Sequence, residues 1–193
     1  MGAQLGLFGD ASRTLVDDAG GSIRYVASVV EAPTAWAWFE TLRQRIAWRA
    51  ERRQMYDREV DVPRLVAGFR LGEADVPREL EDAAGRASEA TGGVAFNSVG
   101  LNFYRDGRDS VAPHNDHLYE IVAGFPIALL SLGATRRMTI RSKTRPRRVF
   151  DLDLEHGSLL VMSYATQKHY DHGIPKVKDS IGARISVAFR VRP

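Results

Sequence analysis

The sequence predicts a mainly β protein with flanking helices, an α+β arrangement. Residues 96–193 contain short apolar or alternating runs separated by turn residues, which is the pattern of an antiparallel sandwich or barrel. Two longer segments before residue 96 instead place apolar residues at helical spacing. The length of 193 residues suits a single domain, residues 1–193, with a core of its own.

The composition excludes several classes of protein. Without cysteine there are no disulfides or thiolate sites, so any metal must bind to His, Asp or Glu. No run of 18 apolar residues is present, and no basic region followed by an apolar core opens the chain. Hydrophobic residues make up 44% of the chain and charged residues 26%. We therefore expect a soluble cytoplasmic protein with no membrane span.

The first half of the chain is predicted to be an arm, a strand and two helices. Residues 1–21 are glycine-rich and are expected to form a loose arm, and "SIRYVASVV" (22–30) alternates like a strand. Residues 32–48 and 77–93 have helical spacing, and each begins near a proline. Residues 51–77 mix charges without a clear period, so a loop with short strands is expected there.

The helix predicted over 32–48 has a recognisable start and an apolar face. Pro33 lies near its first turn and Thr34 is a candidate cap. We expect its apolar and aromatic residues to lie in the core: Ala35, Trp36, Trp38, Phe39, Leu42 and Ile46.

A basic run lies within the predicted β region. Seven arginine or lysine residues fall between Arg136 and Arg148 with no acid among them. Such a run attracts phosphate backbones, and the alternative is a solvated pair of basic strands. Because strand residues alternate, at most one of Arg136 and Arg137 is expected to point inward.

The segment "HNDHLYE" (114–120) is a candidate metal site. Residues two apart on a strand point to the same side, so His114 and Asp116 can face one point. A third ligand is needed; His169 and His172 both follow a predicted strand, and His156 lies at a predicted turn. Two imidazoles and one carboxylate form the facial triad of non-haem Fe(II) oxygenases. The alternative is a pair of surface residues.

The C-terminal strand "GARISVAFRVRP" carries a second candidate site. Arg184 and Arg190 are six residues apart, so a regular strand puts them on one face with Ser186 between them. Two guanidinium groups on a core strand are costly unless an anion pairs with them, and a dicarboxylate such as 2-oxoglutarate would do so. The alternative is that Arg190 and Arg192 form a frayed basic terminus.

Four segments in order resemble the AlkB family of Fe(II)/2-oxoglutarate dioxygenases: "FNSVGLNFYRDGRDSVAPHND", "PIALLSLGATRRMTIR", "GSLLVMSYATQKHYDHGIPK" and "RISVAFR". The match runs from about residue 96 to the C-terminus, with weaker similarity at "LFGD", "IAW" and "MYDREVDVPRL". The resemblance implies a double-stranded β-helix, or jelly roll, over 96–193. It implies N-terminal helices and a nucleotide-recognition lid over 1–95.

The resemblance also implies roles for individual residues. It makes His114, Asp116 and His172 the Fe(II) ligands, and it prefers His172 to His169 because an aromatic residue precedes the family's histidine by two. The residues implied for 2-oxoglutarate are Asn102, Tyr104, Arg184, Ser186 and Arg190; many family members have Asn where this chain has Ser186.

The implied activity is oxidative demethylation of N-alkylated bases, such as 1-methyladenine or 3-methylcytosine, in DNA or RNA. Fe(II) would serve as the cofactor, 2-oxoglutarate and O2 would be consumed, and formaldehyde and succinate would be released. A duplex base would have to leave the stack to react. The implied partner is thus alkylated nucleic acid, bound by a monomer. The alternatives are an oxygenase acting on a protein side chain or a small molecule, and a non-catalytic binding protein on the same fold.

Two departures from the family affect the substrate. His117 follows the metal-binding Asp where nucleic-acid-acting members often have an acid, and the segment after "PRL" is short with few aromatics. For several candidate substrate residues we weigh packing as the alternative role. The candidates are Trp48, Tyr56, Arg64, Phe69, His117 and Arg136.

Overall fold

The computed structural model describes residues 12–55 and 58–193, and the side chains of residues 53–61 lie outside this description. Three helices are present in the described residues: α1 (Ala32–Arg45), α2 (Arg78–Ala90) and α3 (Thr166–His169), with a 3₁₀ turn at Leu118–Glu120. The strands are β1 (Ser12–Asp18), β2 (Gly21–Val26), β3 (Arg49–Met55), β4 (Arg58–Arg70), β5 (Ser98–Tyr104), β6 (Val111–His114), β7 (Ile127–Gly133), β8 (Arg136–Ser142), β9 (Val149–Leu154), β10 (Leu159–Met162), β11 (Tyr170–Ile174) and β12 (Arg184–Arg190).

The strands form two antiparallel sheets. The large sheet has the order β1-β2-β10-β7-β12-β5-β4-β3, and the small sheet has the order β6-β11-β8-β9. Several neighbours come from distant parts of the chain, such as β12 with β5 and β11 with β6, as a jelly roll requires. The predicted fold class, mainly β with flanking helices around a jelly-roll core, is confirmed.

Two hydrophobic clusters cover the two faces of the large sheet. One cluster packs α1 and α2 against outward-facing residues of β5, β7 and β12, including Leu101, Leu130 and Val187. The other lies between the sheets and joins Leu129 of β7 to Ile140 of β8. Because strand side chains alternate, the inner face of β12 is left for Arg184, Ser186 and Arg190.

The predicted helices are present, with two corrections in α1. Its N-cap is Glu31 rather than Thr34, and no side chain caps it by a hydrogen bond. Trp36 is 47% exposed and stacks on His156, with 4.3 Å between ring centroids, because its position points away from the sheet. The other predicted core residues of this helix are buried: Ala35, Trp38, Phe39, Leu42 and Ile46.

The N-terminal half contributes more strands than the sequence predicts. Part of the expected loose arm is β1, which pairs with β2. The expected loop over 51–77 is largely the hairpin of β3 and β4, and β4 pairs with β5 along Leu65–Arg70. Residue 95 is therefore not a structural boundary, because β1–β4 belong to the same sheet as the C-terminal strands. Within the described residues, no helix is long and apolar enough to cross a membrane.

Candidate active site

Strands β6 and β11 bring two histidines together. His114 and His172 are direct partners across this antiparallel pair, and their ring centroids are 4.6 Å apart. Directly opposite residues project to the same side of a sheet, so both rings face the same space. His172 is buried and His114 lies open at the mouth. His169 instead ends α3, so His172 is the histidine paired with His114.

Asp116 follows β6 and lies beside these histidines. Its Oδ2 accepts a hydrogen bond from Arg190 Nε at 2.6 Å, and both side chains are largely shielded from solvent. Burial raises the pKa of the Asp116 carboxyl, but the charge and hydrogen bond of Arg190 outweigh burial and hold the pKa below its usual value. Asp116 is therefore a carboxylate at neutral pH.

The protonation states of the histidines suit metal binding. Burial, with a smaller contribution from His114, lowers the pKa of His172 to about 3, so this imidazole is neutral. His114 Nδ1 lies 3.0 Å from the carbonyl oxygen of Ala112, to which it can donate while Nε2 keeps its lone pair. Two neutral imidazoles and a carboxylate are the donor set of a facial Fe(II) site.

The side chains of His114, Asp116 and His172 lie near one another but do not surround a single point. Across the described ranges, no three His, Asp or Glu side chains form a group arranged to hold a metal ion. Asp116 is directed to Arg190 instead. The donor set fits Fe(II) in its chemistry, and metal binding would require the carboxylate to be shared with Arg190.

Arg184 is a buried cation with free hydrogen-bond donors. It is fully buried, and its Nη2 donates to Ser131 Oγ at 2.9 Å, while Nε and Nη1 have no partner. Burial lowers its pKa to about 10, so the guanidinium is still charged at neutral pH. A buried cation with unused donors is costly, and an anionic ligand would compensate it.

The other predicted cosubstrate residues line the same inner face. In the pairing of β5 with β12, Tyr104 lies opposite Arg184 and Asn102 lies opposite Ser186. The Tyr104 ring centroid is 5.4 Å from the guanidinium carbon of Arg184. The five residues predicted for 2-oxoglutarate therefore lie on two neighbouring strands, and Arg190 connects them to Asp116 beside the histidine pair.

Two predicted substrate residues lie at the mouth of this site. Arg64 donates from Nε to Asn102 Oδ1 at 2.6 Å, which puts it beside the predicted cosubstrate residues. His117 is exposed directly after Asp116 and stacks on Tyr119. Tyr56 lies outside the described residues.

Three other predicted substrate residues do not face the site. Trp48 packs on Phe103, and Phe69 packs against the helix-covered core, because both lie on the outer side of the large sheet. Arg136 is 1% exposed, and its guanidinium donates to the carbonyl oxygens of Asp106, Asp109 and Pro175. Arg136 therefore holds loops together inside the protein, while Arg137 is the outward residue of the pair.

Two amide side chains that the sequence did not indicate support the ligand positions. Gln167 is buried, and its Oε1 accepts a hydrogen bond from the backbone N–H of Asp116 at 3.0 Å. Asn115 Nδ2 donates to the carbonyl oxygen of Tyr170, two residues before His172. Together they connect the turn that carries Asp116 to the segment that carries His172. The glutamine in "TQKHYDH" has no periodic pattern around it, so the sequence alone does not predict its hydrogen bond to Asp116.

Comparison with known proteins identifies the family. The family model described as the 2OG-Fe(II) oxygenase superfamily matches residues 70–190, which include every predicted ligand of the metal and of 2-oxoglutarate. The chain belongs to the 2OG-Fe(II) oxygenase superfamily.

Curated relatives of this 2OG-Fe(II) oxygenase are AlkB-like, which confirms the resemblance predicted from the motifs. It is 40% identical over 118 residues to mouse DNA oxidative demethylase ALKBH2, covering 58% of this chain and 49% of that protein. It is 39% identical over 110 residues to rat alpha-ketoglutarate-dependent dioxygenase alkB homolog 3, covering 53% and 37%. The matches thus span less than half the length of these relatives.

Solved structures show the same fold. A Pseudomonas putida prolyl-4-hydroxylase has a TM-score of 0.61 and 13% identity, covering 90% of this chain and 94% of its own. OsALKBH1 also gives a TM-score of 0.61 at 13% identity, covering 93% of this chain and all of its own. At this identity the likeness bears on the fold of the 2OG-Fe(II) oxygenase alone.

Proposed function

We propose that the protein is an Fe(II)- and 2-oxoglutarate-dependent oxidative demethylase of N-alkylated bases in DNA or RNA. One observation carries the oxygenase chemistry: Arg190, which bonds to the ionised Asp116 beside the paired imidazoles, shares the inner face of β12 with Arg184, a buried cation with unused donors. The names of the curated relatives support the choice of an alkylated base as substrate.

His114, Asp116 and His172 would hold the iron. Bound together, Fe(II), 2-oxoglutarate and O2 supply the oxidation of an N-methyl carbon, whose product breaks down to formaldehyde and the unmodified base. The neutral imidazoles and the carboxylate would hold the ion and leave room for the cosubstrate beside it. Arg190, hydrogen-bonded to Asp116, would keep that carboxylate ionised and oriented.

Arg184 would fix the far end of the cosubstrate. A carboxylate at Nε and Nη1 would satisfy both unused donors and neutralise the buried charge. Tyr104 lies opposite Arg184 and Asn102 lies opposite Ser186, so both would contact the molecule that Arg184 binds. This anchoring would orient the keto-acid end toward the metal.

The proposal is tested by formaldehyde release from an oligonucleotide containing 1-methyladenine or 3-methylcytosine, with Fe(II), 2-oxoglutarate and ascorbate. We expect release by the wild-type protein and by His169→Ala, and none by His172→Ala, because only His172 pairs with His114. Succinate formation without oligonucleotide-dependent formaldehyde would reject the demethylase and leave an oxygenase of a protein side chain or small molecule.

We also propose that the protein is a monomer. The large hydrophobic side chains that are exposed in the described residues lie on three separate parts of the chain: Trp36, Tyr119 with Phe125, and Val149. Stable dimers need a broader apolar patch. Light scattering at micromolar concentration should give the chain mass of 21.4 kDa. The cytoplasmic location expected from the sequence stays a prediction.

A further inference from the structure

An exposed aromatic pair stands at the mouth of the candidate site. Tyr119 is 78% exposed, and its ring is stacked on His117, with centroids 5.2 Å apart and planes 20° apart. His117 directly follows Asp116 in the chain. A large aromatic ring held by stacking on one face offers its other face to solvent, and such faces bind planar partners.

The turn that carries this pair is anchored at several points. Glu120 N donates to His117 O at 2.9 Å, which closes the 3₁₀ turn, and Glu120 Oε2 pairs with Arg192 Nη2 at 3.0 Å. Val122 N donates to Val191 O at 2.8 Å. The aromatic pair is therefore held in place relative to β12, which supplies Arg190 to the site.

A groove lies next to Arg190 of the candidate site. Gly68 and Gly100 are partners across β4 and β5 and leave a floor without side chains, beside a space of about 430 Å³. A Cβ on Gly100 would lie 3.2 Å from Arg190 Nη1, so the groove adjoins the arginine that binds Asp116. Arg192 lines the groove and pairs with Glu120, and so links it to the turn.

The rim of the groove favours bases over phosphates. Its charged residues are balanced in sign: Arg49, Arg70, Arg192, Glu51, Glu73 and Asp75. Mixed donors and acceptors match the edges of nucleobases, whereas a run of phosphates would favour cations alone. A base beside the one presented to the site could lie on the Tyr119 ring only if it is itself unstacked on that side, and a single strand allows this without breaking further base pairs.

We infer that Tyr119, seated on His117, is a stacking platform for an unpaired base next to the one presented to the candidate metal site. The ligand is then a single strand of DNA or RNA, and this inference rests on the proposed function. Stacking on an aromatic side chain is sequence-tolerant because every base has a π face. Tyr119 would therefore set a preference for unpaired strands without setting a sequence.

The test is equilibrium binding of a fluorescently labelled single strand carrying one 3-methylcytosine, measured by anisotropy, in DNA and RNA versions. We expect Tyr119→Ala to weaken binding about tenfold and Tyr119→Phe to bind like the wild type, since phenylalanine keeps the π face. Trp36→Ala is the matched control, because Trp36 is also an exposed aromatic residue in contact with a histidine ring but lies on α1.

A second strand, with an abasic residue next to the methylated base on either side, isolates the stacking. One of these abasic strands should bind the wild type about tenfold more weakly than the intact strand does. The same abasic strand should bind Tyr119→Ala as tightly as the intact strand does. Equal losses for both proteins, or tight binding by Tyr119→Ala, would overturn the platform. So would an equal dependence on Tyr119 in a fully paired duplex.

The binding experiment separates this inference from the proposed function. Tyr119-dependent binding without formaldehyde release would keep the platform and reject the demethylase. Formaldehyde release with binding that is indifferent to Tyr119 would keep the demethylase and reject the platform. A wild-type protein that binds no strand would reject both.

Discussion

Arg184 and Arg136 are both buried arginines near Tyr104, yet their hydrogen bonds differ. Arg184 has two donors without partners, whereas Arg136 has one, Nε, and three carbonyl oxygens accept from its Nη1 and Nη2. An uncompensated buried charge destabilises a fold, and a carbonyl deprived of its donor does the same. The two residues should therefore respond in opposite ways to the same substitution.

We expect Arg184→Met to raise the free energy of unfolding without ligand by about 1 kcal/mol or more, because it removes an unpaired buried charge. Arg136→Met should lower it by at least about 2 kcal/mol, because buried carbonyls lose their donors. Urea denaturation measures both. The stabilisation that 2-oxoglutarate gives the wild type should be absent in Arg184→Met. Equal destabilisation by the two variants would contradict the role assigned to Arg184.

Gln167 is expected to act on the metal through Asp116. Gln167→Met keeps the size of the side chain but loses the oxygen that accepts from Asp116 N–H, so Co(II) affinity should fall about tenfold or more. Gln167→Glu keeps an acceptor and should bind Co(II) more tightly than Gln167→Met. The Co(II) absorption spectrum reports binding, and exposed Lys168→Met is the control. Unchanged affinity in Gln167→Met would remove Gln167 from this role.

At the residue scale, strand alternation was sufficient to predict the direction in which some side chains point but not others. It put Arg184, Ser186 and Arg190 on one face, and the structure does the same. It could not tell which face of the sheet the helices cover, so Phe69 stayed a candidate for either the lid or packing, and in the structure it packs against the helix-covered core. The partners of Arg136 are 27 to 39 residues away in the chain, and no local pattern contains them.

At the element scale, the connection from β5 to β6 sets where β6 begins. Asp109 accepts three hydrogen bonds from Arg105, and its own carbonyl oxygen accepts one from Arg136. Burial raises the pKa of the Asp109 carboxyl, but the hydrogen bonds and charge of Arg105 outweigh burial and hold the pKa below its usual value. The loop therefore depends on an ionised Asp109.

This dependence predicts an acid-sensitive contribution to stability. A carboxyl whose pKa is lower in the folded state stabilises the fold above its unfolded pKa, about 3.9, and loses that effect as pH falls through the folded value. Wild type should exceed Asp109→Asn in unfolding free energy by on the order of 1 kcal/mol at pH 7, and the difference should shrink below about pH 4. A difference that grows toward low pH in urea denaturation would contradict this.

The hairpin of β3 and β4 shows why some elements escape prediction. Its sequence mixes charges without alternation, and strand propensity depends strongly on the neighbours a strand finds. β4 forms because β5 offers it a partner, from Leu65 opposite Phe103 to Arg70 opposite Ser98. By contrast, α2 carries its own apolar spacing, so the sequence was enough.

At the scale of the whole molecule, the basic run is divided by the fold. Arg136 is buried, Arg137 pairs with Asp153, and Arg148 pairs with Asp18. The remaining cations lie on what we call the basic hairpin, the end of β8 and its connection to β9 over residues 141–148: Arg141, Lys143, Arg145 and Arg147. These four are exposed, so any phosphate contacts of the run belong to them.

We expect the double variant Arg145→Ala/Arg147→Ala to reduce the salt dependence of single-strand binding. Loss of two phosphate contacts lowers the slope of log affinity against log salt by about 1.4. Anisotropy titrations over a range of salt concentrations measure the slope. Arg78→Ala/Arg86→Ala on α2 removes the same charge from the helix-covered side and should leave the slope unchanged. Equal slopes in all three proteins would exclude the basic hairpin as a phosphate contact.

The order of strands in the two sheets is the largest feature that the motifs alone did not supply. β12 lies between β5 and β7, and β10 lies between β2 and β7, although none of these pairs is adjacent in the chain. Long-range pairing of this kind leaves no periodic trace in the sequence. The jelly roll was predicted because the spaced motifs resemble a family, and the comparisons confirm it.

Because His114 pairs directly with His172, an insertion in either strand affects the site differently when it adds an odd or an even number of residues. One extra residue within β6 or β11 would turn one imidazole to the opposite face of the small sheet, while two extra residues would return it to the original face. Insertions and deletions that evolution accepts in these two strands should therefore change their length by two residues at a time. A metal ion bound by both histidines would bind only when β6 and β11 are paired in this register as the chain folds.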